Sequence, residues 1–147
     1  MANEPTKLRN MNRGYMKLEV WQKGMDLFEF VWKTVYVETK VDFKLRSQIA
    51  DAAQSVSANI AEGYSRRSLK EYLQFLYIAL ASLSETLTRT VGLKAIHLIS
   101  EETFQKIDSL HYEVENKLLR LIASLEKKKD DGTWIDRISE EMAGYNP

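Results

Sequence analysis

The stretch SLKEYLQFLYIALASLSETL, residues 68–87, decides the fold. Ser68 followed by Glu71 is a capping box: the hydroxyl accepts from the amide of Glu71, and the carboxylate reaches back to Ser68. Behind that cap, Tyr72, Leu76, Ala79, Leu83 and Leu87 recur at helical spacing, with Leu69, Leu73 and Leu80 beside them. A long amphipathic helix therefore starts at Ser68, and the rest of the chain has to cover its apolar face.

Upstream, Asp42 is a plausible N-cap. Leu45, Ile49, Ala52, Val56 and Ile60 continue one stripe from it. Gly63 follows Glu62 where a left-handed C-terminal cap is expected, so Gly63, Ser68 and Glu71 frame the turn between the second and third helices. A first helix spans about Leu18 to Thr39, with Trp21, Met25, Phe28, Val31 or Trp32, and Val35 as its apolar face. Downstream, Gly92 weakens the far end of the third helix. Ser100 reads as the next N-cap, with Glu101 and Glu102 favourable in the first turn. Phe104, Ile107, His111, Val114, Leu118, Leu121 and Leu125 then alternate without a break. Lys127, Lys128 and Lys129 suit the negative end of that helix dipole.

Composition agrees. The only prolines are Pro5 and Pro147, and an interior proline would cost a helix about 3 kcal/mol. The chain has 147 residues, 44% hydrophobic, enough for one domain with a real core. Short connections force neighbours to run antiparallel. The expected fold is all-α, an antiparallel up-down-up-down four-helix bundle over 17–129, with a polar arm over 1–16 and an acidic tail over 130–147. That tail, with Trp134, Ile135, Ile138 and Met142, can form a short helix or dock on a partner.

Lys plus Arg number 21, as do Asp plus Glu, so bulk charge gives no argument for nucleic acid. With no cysteine there is no disulfide framework, thiolate metal site or Cys nucleophile. His97 and His111 lack the Glu-x-x-His pairing of a di-iron bundle, since Lys94 and Asp108 stand three positions before them. No metal and no cofactor are expected, and His111 reads as a satisfied core or interface histidine. Glu62 and Glu85 are separated by some 25 Å if the second and third helices form a tight hairpin, at about 1.5 Å of rise per residue. They cannot act on one bond, and no phosphate loop, nucleophile elbow or HExxH helix is present. No catalytic residue is assigned. No apolar stretch reaches the roughly 20 residues of a membrane span, and the polar first 17 residues lack a signal peptide's apolar core. A cytoplasmic protein with no membrane partner is expected.

Two polar features stand out. Gln48, Ser55, Asn59 and Glu62 share one helical face, which reads as solvated surface, as a hydrogen-bonded seam within or between subunits, or as a ligand site. The small residues Ala50, Ala53, Ser57 and Ala61 beside it let another backbone approach. In an up-down bundle, Lys17, Arg66, Arg67, Lys70, Lys127, Lys128 and Lys129 gather at one end, joined by Lys7, Arg9 and Arg13 of the arm. Segment 130–147 holds five acids against one Arg, a charge of −4, so the remainder carries +4. The basic end can attract RNA or DNA phosphates, or it is a solvated face complementing helix dipoles.

The residues Leu18-Glu19-Val20-Trp21-Gln22-Lys23, then Gln48-Ile49, Ser55-Val56 and Asn59-Ile60-Ala61-Glu62-Gly63, carry a resemblance. Arg66, Ser68, Glu71, Tyr72, Phe75, Leu76, Ser82 and Glu85 extend it. The chain resembles the bacterial four helix bundle protein family, which includes proteins encoded in intervening sequences of 23S ribosomal RNA genes. That family is related to the accessory proteins of diversity-generating retroelements. The similarity covers roughly Tyr15 to Lys129. It implies a four-helix subunit in a homo-oligomeric ring, typically a pentamer, without established enzymatic activity. The accessory relatives bind nucleic acid and a reverse transcriptase, and they are strongly basic. The surplus of Trp21, Phe28, Trp32, Tyr36, Phe75 and Tyr77 over what one thin bundle can enclose also points to self-association.

Overall fold

The computed structural model describes residues 14–134. A 3-10 turn, Gly14–Lys17, leads into α1, Glu19–Lys33, which a π-helical turn extends over Thr34–Glu38. Then follow α2, Phe43–Tyr64, α3, Leu69–Ala95, and α4, Glu101–Asp131. Among the described residues there is no strand. Residues 1–13 of the expected arm, with Lys7, Arg9 and Arg13, and residues 135–147 of the expected tail, with Ile135, Ile138 and Met142, lie outside the described residues.

The starts of α2, α3 and α4 each have a side-chain cap, whereas α1 begins after Leu18 without one. The amide of Leu45 donates to Asp42 Oδ1 at 3.1 Å, that of Glu71 to Ser68 Oγ at 3.1 Å, and that of Thr103 to Ser100 Oγ at 3.1 Å. The Ser68 hydroxyl in turn donates to Glu71 Oε2 at 3.0 Å. At the other end of α4, Gly132 adopts φ 68°, and the amide of Thr133 reaches back to the Lys128 carbonyl. This is a Schellman stop, two residues past the expected end.

The helices surround the core in chain order: α1 packs on α2 and α4, and α3 on α2 and α4. Contacts along each pair run in opposite senses. Gln48 meets Arg89 and Ser55 meets Ser82; Glu19 meets Lys117 and Lys23 meets Glu113; Tyr77 meets Glu126 and Lys94 meets Glu101. Trp21 meets Ser57, and Tyr36 meets Arg46. All four neighbouring pairs are therefore antiparallel. The core holds Leu27, Val31, Ile49, Val56, Ile60, Tyr72, Leu76, Leu83, Ile107, Val114 and Leu118, each with at most 1% exposure. Burying one such side chain contributes about 1.5–3 kcal/mol.

Two expectations need correction. Of the expected α1 face, Val31 and Val35 do enter the core, but beside Val20, Gly24 and Leu27 rather than Trp21, Met25 and Phe28. The neighbouring series Trp21, Met25, Phe28, Trp32 and Tyr36 lies one residue round the helix, at the α2 edge, with Met25 37% and Trp32 44% exposed. Gly24 decides between the two series. A Cβ there would sit 2.3 Å from Ser57 Oγ, so α2 lies too close to α1 for a larger residue.

Gly63 is not a left-handed cap. The helix runs through it to Tyr64, and Ser65 closes the end with φ −82°. Gly63 is needed for closeness instead: a Cβ would lie 2.7 Å from Phe75 Cβ and 3.1 Å from the Tyr72 carbonyl oxygen. The left-handed residue of the next turn is His97, φ 63°, where Leu98 N–H reaches Leu93 O at 2.9 Å.

Candidate functional site

The polar face of α2 meets α3 directly. Ser55 Oγ lies 2.9 Å from Ser82 Oγ, and Asn59 Nδ2 donates to Ser55 Oγ at 2.8 Å and to its carbonyl at 2.7 Å. Two turns away, Arg89 Nη1 donates to Gln48 Oε1 at 2.9 Å while its Nε holds Glu85 at 2.9 Å. Gln48, Ser55 and Asn59 thus form hydrogen bonds within one chain, which satisfies polar atoms where two helices pack. Glu62 is brought to none of these groups. It is exposed and sits 3.8 Å from Arg66. The α2–α3 register places Glu62 and Glu85 about 15 Å apart along the bundle, less than the hairpin estimate and still too far for one bond.

His111 is 2% exposed, and its Nε2 lies 2.7 Å from the Leu83 carbonyl oxygen. It fills the core with its polar atom satisfied. Among the described residues no group of three or more His, Cys, Asp or Glu is arranged to hold a metal. No described helix is long and apolar enough to cross a membrane. The perturbed titrating groups are surface pairs. The Lys117 ammonium hydrogen-bonded to Glu19 pulls that carboxyl below its ordinary value, and the Glu113 bond raises Lys23. Lys94, then Gln105, lower Glu101, and the bond to Glu126, with some desolvation, raises Tyr77. None of these groups lies in an enclosed cleft with a second perturbed group, so they read as fold electrostatics rather than acid–base machinery.

The basic residues do gather at one end. Tyr15, ahead of α1, packs edge-on against Trp21 at 5.6 Å and Tyr64 at 6.4 Å. Tyr64 meets Tyr72 at 6.0 Å, and Tyr72 meets Trp134, beyond α4, at 6.3 Å. This aromatic chain ties the start of α1, the α2–α3 turn and the end of α4 together. Lys17, Lys70, Lys127, Lys128 and Lys129 are all exposed there. Arg66 is committed to Glu62 and lies over the Phe75 ring at 4.8 Å. Arg67 is exposed beside it. Sequence reasoning singled out neither Trp134 as part of this cluster nor Arg89 as the partner of Gln48. The only available signal was helical spacing, which does not reveal partners on another helix.

Two apolar strips complete the surface. Along the α1–α2 edge run Met25, Trp32 and Phe43, the last 71% exposed, with Trp32 stacked on Tyr36 at 5.1 Å. Along the α3–α4 edge run Tyr77, Val91, Tyr112 and Leu119, each between 45% and 64% exposed. At 100° per residue each set falls on the side of its helices turned toward the shared groove. Because the helices follow chain order, the two grooves lie on opposite sides of the bundle.

No curated protein matches the chain. Among solved structures, it is similar to a protein of unknown function from the S23 ribosomal protein family of Bacteroides thetaiotaomicron VPI-5482. The two share 24% identity with a TM-score of 0.65, over 70% of this chain and 97% of that one, which supports the fold. The profile of the family described as 23S rRNA-intervening sequence protein matches residues 16–120, which takes in the α2–α3 seam and both apolar strips. The chain belongs to the 23S rRNA-intervening sequence protein family.

Proposed function

We propose that this protein is a non-enzymatic, cytoplasmic interaction protein that works as a homo-oligomer, a ring and in this family type a pentamer. The observation that carries the reading is the pair of exposed apolar strips. A single copy leaves Trp32, Phe43, Tyr77 and Tyr112 between 44% and 71% in solvent, and clusters of large apolar side chains on a surface usually mark association sites. The polar face of α2 is already committed to α3, so the free surfaces for assembly are these two edges. Light scattering across a micromolar dilution series tests this. An assembly well above the 17.1 kDa chain mass is expected, and a monomer at all concentrations would reject it.

A second reading is favoured by the basic end: a nucleic-acid-binding role, toward ribosomal RNA or as a reverse-transcriptase accessory. Lys17, Lys70, Lys127, Lys128 and Lys129 have no ion pair among the described residues. A ring would repeat that set around its axis. Binding would weaken with salt in proportion to the phosphates neutralised. Neutralising Arg66, Arg67 and Lys127–Lys129 would lower affinity and flatten the salt slope. Unchanged binding would remove this end as the site.

A further inference from the structure

The two apolar strips are unlike, and they differ in charge as well as shape. The α1–α2 edge carries Arg46. Its guanidinium lies 4.9 Å from the Tyr36 centroid and 5.6 Å from that of Phe43. It has no ion pair among the described residues, and its Nε is buried without a hydrogen-bond partner. The residue is only half-buried and its charge has no counter-ion among the described residues, so a carboxylate arriving from outside can pair with the guanidinium. The α3–α4 edge carries Asp108 one turn before Tyr112, and Asp108 is half-buried with no ion pair among the described residues.

The heights agree. The α2–α3 register set by Gln48–Arg89 puts Arg46 level with Val91. The α3–α4 register set by Lys94 over Phe104 puts Asp108 within about one helical turn of that level. Copies related by rotation about an axis along the bundle meet at equal heights. A strip that pairs with a different strip on the opposite side makes a head-to-tail contact, and such contacts close into rings when the rotation allows.

Resting on the homo-oligomer reading, we infer that the α1–α2 edge of one copy seats on the α3–α4 edge of a second copy of this chain, with Arg46 opposite Asp108. The interface is heterologous. Each copy uses both edges once, so the repeat continues around the ring.

The chain has no cysteine, so single-cysteine variants report contacts cleanly. M25C and Y112C each mark one edge. When the two variants are mixed and treated with a short bis-maleimide, M25C–Y112C products are expected. Homotypic M25C–M25C or Y112C–Y112C products would show a two-fold interface and overturn the inference. Charge reversal gives the second arm. R46E and D108R should each reduce assembly in light scattering, and the R46E/D108R double variant should restore it. Circular dichroism separates loss of assembly from loss of fold. An assembly with neither mixed cross-links nor rescue would sink the edge assignment while leaving the homo-oligomer standing. A wild-type monomer would remove both.

Discussion

Gly63 and Gly92 offer one substitution with two opposite outcomes. Both lie inside long helices, where alanine is about 1 kcal/mol better than glycine. At Gly92 a Cβ meets nothing within 4 Å. G92A should therefore stabilise by about 1 kcal/mol, raising Tm by about 2–4 °C for a chain of this size. At Gly63 the Cβ would lie 2.7 Å from Phe75 Cβ and 3.1 Å from the Tyr72 carbonyl oxygen. Both atoms sit on or next to the backbone of α3, so relief requires moving a helix rather than rotating a side chain. Overpacking of this kind costs about 1–3 kcal/mol. With the upper half of that range reduced by the helix-propensity gain, G63A should destabilise by about 1–2 kcal/mol, a Tm loss of roughly 2–8 °C. Thermal unfolding followed by circular dichroism, at matched protein concentration because the proposed assembly would contribute to Tm, reads both. If G63A is neutral or stabilising, the close approach of α2 and α3 is wrong.

Three further outcomes follow from particular contacts. S68A removes the acceptor for the Glu71 amide and should cost about 1 kcal/mol in chemical denaturation; no loss would mean the cap does not hold α3. Ser55 and Ser82 should be non-additive: S55A removes the hydroxyl that both Ser82 and Asn59 bond and should cost about 1–3 kcal/mol, S82A leaves Ser55 its bond from Asn59 and should cost less, and the double variant should lose less than the sum. Additive losses in a denaturation cycle would refute a direct bond across the seam. Glu101 is held below the ordinary carboxylate value chiefly by Lys94, so the stabilisation from this pair is present above that ordinary value and disappears as pH falls through the lowered one. K94M should move the Glu101 midpoint upward in a carboxyl NMR titration, and an unmoved midpoint would contradict the pairing.

The caps were readable in the sequence because an N-cap is local: Asp42, Ser68 and Ser100 bond amides three residues away. The faces of α2, α3 and α4 were readable because each carries one dominant apolar series. On α1 two series run side by side, Val20 to Val35 and Trp21 to Tyr36, and spacing alone mixes them, joining Trp21, Met25 and Phe28 to Val31 and Val35. The choice falls to Gly24, whose neighbour Ser57 belongs to another helix. Gly63 was misread for a similar reason. A glycine near a helix end looks alike whether it supplies a left-handed turn or a close approach, and only Tyr72 and Phe75 distinguish the two. His97 takes the left-handed position that glycine favours and so gave no signal. The polar face of α2 was visible as a stripe, but its partners Ser82 and Arg89 sit on α3. The basic end followed from topology once the helix order was known.

The rotated α1 face changes how the aromatic surplus is understood. The core closes with Leu27, Val31 and Val35, which frees Met25, Trp32 and Tyr36 to line an edge. The same geometry that keeps α1 close to α2 leaves that strip uncovered, so the fold itself supplies the surface on which the proposed assembly rests.

Native mass spectrometry of the full chain tests the assembly most directly. Unlike edges that close a ring should give a single dominant species, a pentamer of 17.1 kDa chains. A monomer, a dimer alone, or an unbroken ladder of sizes would contradict it.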